Sequence, residues 1–141
     1  MPLSYYLPLL IVIFSNICYH NLAKNQPQNI NPFLALTIAY SISTIVTFIL
    51  FFIFKGNLKT DFANINWISY ALGIVIVGIE LGYIIMYRNG WAISTAALIA
   101  NIIVALLLLC IGFLSYKETI TLTQAVGAIL CITGLILIKS S

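Results

Sequence analysis

Charge is nearly absent from this chain. Only 6% of its 141 residues are Asp, Glu, Lys or Arg, against 62% hydrophobic. A soluble domain carries about 25% charged residues, so too little polar surface remains here to cover a soluble fold. The six Lys and Arg and the three Asp and Glu form no basic cluster suited to nucleic acid and no acidic run suited to a solvated tail. Cysteine is scarce too. Cys18, Cys110 and Cys131 are odd in number, lack C-x-x-C spacing and sit in apolar runs. That excludes a disulfide framework and a thiolate metal site, and leaves small packing residues. No Ser/His/Asp set, phosphate loop or metal-ligand cluster occurs, so neither an enzyme nor a cofactor or metal is expected. The N-terminus lacks a basic n-region and a small-residue cleavage site, so its first apolar run reads as a retained helix.

What is present is an all-α membrane protein of the multi-pass kind, placed in the cell (plasma or inner) membrane. A span needs about 20 apolar residues. Five such runs are expected, at about 4–23, 33–54, 67–87, 91–116 and 121–139, forming a single domain over 1–141 without an internal repeat. Pro27 and Pro32 with intervening Asn and Gln mark the first loop, and Arg88-Asn89-Gly90 reads as a tight turn. Lys59, Asp61 and Asn64 keep the stretch after the second span in water or at the interface. Thr121 and Gln124 stand at capping-box spacing and open the last helix.

Glu80 is the acid that falls inside an apolar run, flanked by Gly78 and Gly82. A carboxylate near the middle of a membrane helix costs about 3 kcal/mol on insertion scales, so it marks a function by default. No Lys or Arg lies deep in any run to pair with it. A structural reading remains: a protonated acid bonded to a neighbouring helix. The functional reading has protons and cations competing for one carboxylate. On a 100° wheel, Gly73, Val77, Glu80, Tyr83, Ile84 and Tyr87 form one stripe. Tyr83, one turn from the acid, is a candidate for orienting it or stacking on a cation, whereas Tyr87 reads as a packing or interface aromatic. Asn16, Tyr19 and His20 share a face by their spacing. Asn16, Tyr19 and Asn101 join Glu80 and Tyr83 as candidate substrate and proton ligands, and His20 reads as interfacial. The hydroxyl residues of the second span read as helix-packing groups. Gly127 and Gly134, seven apart, form a candidate dimer or helix-packing seam.

The basic residues divide evenly between the two sides of a five-span topology. Lys24, Arg88 and Lys139 fall on one side, and Lys55, Lys59 and Lys117 on the other. The positive-inside rule then sets no orientation. Either folding fixes one orientation despite this, or copies insert both ways and pair antiparallel, reproducing the inverted-repeat architecture of secondary transporters.

The second half of the chain holds Gly82-Tyr83, Tyr87-Arg88-Asn89-Gly90 and Ser94-Thr95-Ala96-Ala97, followed by Lys117-Glu118-Thr119-Ile120-Thr121, Gln124, Gly127, Leu130, Gly134 and Leu137. In these residues it resembles the drug/metabolite transporter superfamily. The layout is similar to one five-helix half of an EamA-type transporter. That implies an antiparallel homodimer of ten helices. The related small multidrug resistance proteins are short antiparallel dimers with one intramembrane glutamate shared between protons and cationic substrates. Here the acid lies in the third span rather than the first, so the parallel is one of chemistry and not of aligned position. Glu118 matches the superfamily's acid near the last helix and is expected to cap or pair at the interface.

Two functions follow as expectations. The first is a secondary transporter: proton-coupled efflux of a cationic or amphipathic small molecule by alternating access, with the bilayer, the substrate, the proton and a second copy as partners. The alternative is a non-transporting membrane subunit or half of a heteromeric lipid-carrier flippase, with Glu80 paired to a basic group on its partner.

Overall fold

The computed structural model describes residues 3–139, with side chains from residue 5 to 138. The N-terminal Met1-Pro2 and the Lys139 side chain, both used in the sequence reading, lie outside those described. Six helices follow in order: α1 Leu3–Lys24, α2 Pro32–Ile53, α3 Leu58–Asn64, α4 Trp67–Arg88, α5 Ile93–Ser115 and α6 Leu122–Lys139. Four of them, α1, α2, α4 and α5, are long and apolar enough to cross a membrane. At a rise of 1.5 Å per residue, the 22 residues of α4 reach about 33 Å, enough for a hydrocarbon core of about 30 Å. The 18 residues of α6 reach about 27 Å by the same rise. The expected fifth span is therefore a helix, but a short one. The seven-residue α3 is an addition that periodicity could not reveal.

Local chemistry explains the helix ends. Asn31 caps α2 by accepting the Phe33 N–H at 2.8 Å, with Pro32 in the first helical position, where its missing N–H is no loss. Asn57 accepts the Lys59 N–H at 3.1 Å to start α3, and Asn66 accepts the Ile68 N–H at 3.0 Å to start α4. The expected box at α6 is present: the Thr121 N–H donates to Gln124 Oε1 at 2.8 Å and the Gln124 N–H to Thr121 Oγ1 at 3.3 Å. At the other end of α2, the Gly56 N–H returns to the Phe51 carbonyl and the Lys55 N–H to that of Phe52. This is a Schellman closure with lysine, at φ 59°, in the left-handed position usually held by glycine. The αL lysine recurs at Lys117, φ 54°, after α5.

The chain divides into two compact units. One comprises Met1–His20 with Gly90–Ser141, the other Asn21–Asn89. Within the first, α5 packs on α6. Ala96 is fully buried and Gly112 is buried. Glu118 folds back over α5: its N–H donates to the Gly112 carbonyl at 3.0 Å, and a Cβ on residue 112 would come within 2.6 Å of Glu118 Oε2. Within the second unit, α2 packs on α4, and Leu36, Ile84 and Tyr87 are buried. The glycine-containing stripe of α4 is thus a packed face at its Ile84–Tyr87 end. Elsewhere the helices present large apolar side chains outward, which a bilayer accommodates.

Candidate functional site

Glu80 lies beyond the midpoint of α4, half-buried, with the apolar helix running on in both directions. From α2 the Tyr40 hydroxyl comes up to its carboxyl group, and the two interact. The approach stops short of a closed hydrogen bond. The hydroxyl is shielded from the outside and has no other partner. A buried unpaired hydroxyl costs free energy, typically about 1–3 kcal/mol. The Glu80 carboxyl group and the Tyr40 hydroxyl thus face each other with hydrogen-bonding capacity to spare.

A Cβ built on Gly73, Gly78 or Gly82 meets nothing within 4 Å, so α4 is open at these three positions. One turn further along α4, Tyr83 stacks on Tyr87, with ring centroids 6.2 Å apart and planes 24° from parallel. Lys24 Nζ stands 5.7 Å from the centroid of the Tyr87 ring, a cation–π distance. Arg88 Nη2 donates to the carbonyls of Ile30 at 2.6 Å and Pro27 at 3.2 Å. The loop between α1 and α2 is therefore tied to the end of α4. Tyr87 is a packing aromatic, as its spacing indicated, and it carries the stack that Tyr83 leans on.

The structure distributes the sequence candidates between the two units. Glu80 and Tyr83 share the unit formed by residues 21–89, while Asn16, Tyr19, Asn101, Gly127 and Gly134 belong to the other. Asn16 and Asn101 are exposed and Tyr19 is half-buried. His20, read as interfacial, is buried, 8% exposed, with its ring edge-on to that of Tyr19 at 5.1 Å. A Cβ on Gly127 or Gly134 meets nothing within 4 Å, so their faces stand open. Tyr40 is the residue that sequence reasoning passed over. It was grouped with the hydroxyl residues of α2, whose hydroxyls bond back to their own backbone. Thr37, Ser41, Thr44 and Thr47 each donate to a carbonyl one turn back at 2.7–2.8 Å and are exposed on the single chain. The available signal was Tyr40 standing within that hydroxyl stripe, the one aromatic polar group in it.

Residues 20–137 match a family model described as "Putative inner membrane exporter, YdcZ", of the drug/metabolite transporter type. The match runs over most of the chain and contains α2 to α5 entire. The chain belongs to this YdcZ family. It is thus a multi-pass inner-membrane protein of an exporter family, which is not an enzyme class, and the drug/metabolite transporter likeness read from the sequence holds. No curated protein and no solved structure gives a significant match. In this YdcZ-family chain Tyr40, Glu80, Tyr83 and Asn101 fall inside the matched region, whereas Asn16 and Tyr19 precede it.

Proposed function

We propose that this YdcZ-family protein is a proton-coupled exporter of cationic or amphipathic small molecules, with Glu80 as the shared proton and cation site. The observation that carries the reading is the facing of Glu80 and Tyr40 across α4 and α2, two helices long and apolar enough to cross a membrane. A carboxylate in hydrocarbon needs either a proton or a counter-cation. One acid that accepts either, but not both, obliges the two to exchange. Tyr40 offers a hydroxyl that donates to the carboxylate when the cation is absent, and Tyr83 a ring face for a bound cation. Asn16, Tyr19 and Asn101 are proposed as supporting ligands on the substrate path.

The working assembly in this reading is an antiparallel homodimer of EamA-like five-helix chains, with α6 as the fifth span and two Glu80 side chains on one central cavity. It is supported by the three-against-three division of basic residues and by the open faces of Gly127 and Gly134. Alternating access then follows from exchange of two equivalent, oppositely oriented copies.

Proton release on cation binding tests the exchange directly. Detergent-solubilised protein in weak buffer, mixed with tetraphenylphosphonium, should release up to one proton per Glu80 that binds, and Glu80→Gln should release none. Equal release by the variant would contradict the reading.

A further inference from the structure

Beside one end of α2 stands a second acid, Asp61 of α3. Between α2 and α3 lies a hollow of ≈ 310 Å³, at the lower end of the range of about 300–1,000 Å³ typical of small-molecule sites. Its walls include the rings of Phe48, Phe51 and Phe62, the hydroxyl residues Thr44 and Thr47, and Asp61. The Phe51 ring has its seat because residue 56 is glycine, since a Cβ there would run into it. Asp61 Oδ2 accepts the Asn57 N–H at 2.9 Å, which holds the carboxylate at the start of α3. Lys59, two residues away, is about 200° round the helix and is not part of the walls. The smaller hollow between α5 and α6, ≈ 190 Å³, has no charged wall residue.

The chain has three acids, and two of them, Asp61 and Glu80, meet the same side of α2. Thr47, Thr44 and Tyr40, at helical spacings of three and four, lead from the hollow to Glu80. The threonine hydroxyls donate to their own helix at 2.7 and 2.8 Å, so what they turn outward is acceptor capacity. Three aromatic rings with one fixed carboxylate suit an organic cation. An anion would be repelled, and an acyl chain would gain nothing from the carboxylate.

We infer that this hollow is a vestibule site for an amphipathic organic cation, which holds it at the membrane interface before it passes along the Thr47–Thr44–Tyr40 stripe to Glu80. The inference rests on the cation-export reading above, and adds to it a second site and a route.

Equilibrium binding of tetraphenylphosphonium to the full chain in lipid nanodiscs, with protein-free discs subtracted, isolates the vestibule in a Glu80→Gln background. Residual binding is expected there, weakened about tenfold by Asp61→Asn and about threefold by Phe62→Leu, which keeps apolar volume but loses the ring face. Tetraphenylborate, of the same shape and opposite charge, should bind Glu80→Gln more weakly than the cation does, and should gain rather than lose on Asp61→Asn, because the repelling charge is gone. No residual binding, or residual binding untouched by either substitution, overturns the vestibule. So does equal occupancy by cation and borate, the behaviour of an acyl-chain groove. Full coupled flux by Glu80→Gln alone would instead overturn the exchange reading, and the Asp61 comparison would still decide the vestibule.

Discussion

At the scale of single residues, Tyr40 and Glu80 depend on each other. Tyr40→Phe removes a hydroxyl that has no other partner, so its loss should leave folding nearly unchanged. Its effect belongs to function: an apparent cation affinity changed about three- to tenfold in binding titrations, as expected for one net hydrogen bond of about 0.5–1.5 kcal/mol, with the thermal midpoint preserved. A Tyr40→Phe variant that unfolds but binds normally would assign the hydroxyl to packing instead. Gly112 makes a purely structural case. The Glu118 carboxylate occupies the space a Cβ would need, but it is the free end of a flexible side chain, so Gly112→Ala should displace it and, with the helix gain of about 1 kcal/mol for alanine over glycine, leave stability unchanged or raised. In a Glu118→Ala background, where no side chain has to move, the alanine should stabilise more. Thermal unfolding of the two single variants and the double variant, read as a cycle, measures the coupling. Glu80 itself was legible without a structure, because an acid in an apolar run is expensive wherever the run ends up. Its partner was not legible, because the pairing spans forty residues and no local spacing encodes it.

At the scale of elements, the loop between α1 and α2 is tied down by bonds from a distant helix. Arg88 holds the Pro27 and Ile30 carbonyls, and Lys24 covers Tyr87. Arg88→Ala should free this loop, raising hydrogen exchange at residues 25–31 at a cost of about 1.5 kcal/mol, the lower figure for a charged hydrogen bond because these bonds are exposed. Arg88→Lys should protect the loop only in part, since an ammonium lacks the planar fork of the guanidinium. Exchange unchanged in both variants would mean that the prolines alone order the loop. The contrast between α3 and the long helices shows what sequence can carry. Runs near 22 residues, bounded by Asn caps and Pro, announce themselves through hydropathy and capping chemistry. A helix of seven residues, holding Lys59 and Asp61 beside Leu58 and Phe62, has too few turns for a period to emerge. The hydroxyl stripe of α2 was visible, but its use was not. Serine and threonine satisfy themselves on their own helix, so the pattern reads the same whether the face meets another helix or a substrate.

At the scale of the whole molecule, membrane residence and helical architecture follow from composition, and the YdcZ family match adds the exporter class. Assembly is the proposal that charge balance supports. In a cysteine-free background, made by replacing Cys18, Cys110 and Cys131, a single cysteine placed in the 25–31 loop should be labelled by an impermeant reagent from both sides of the membrane. Labelling from one side alone would remove the antiparallel homodimer. The central claim is that Glu80 couples proton and substrate, and proteoliposome flux tests it most directly. Under an imposed proton gradient, wild-type protein should drive tetraphenylphosphonium against its concentration gradient and dissipate the proton gradient as it does so. Glu80→Gln, folded and reconstituted to the same density, should do neither. Full coupled transport by Glu80→Gln would contradict the account.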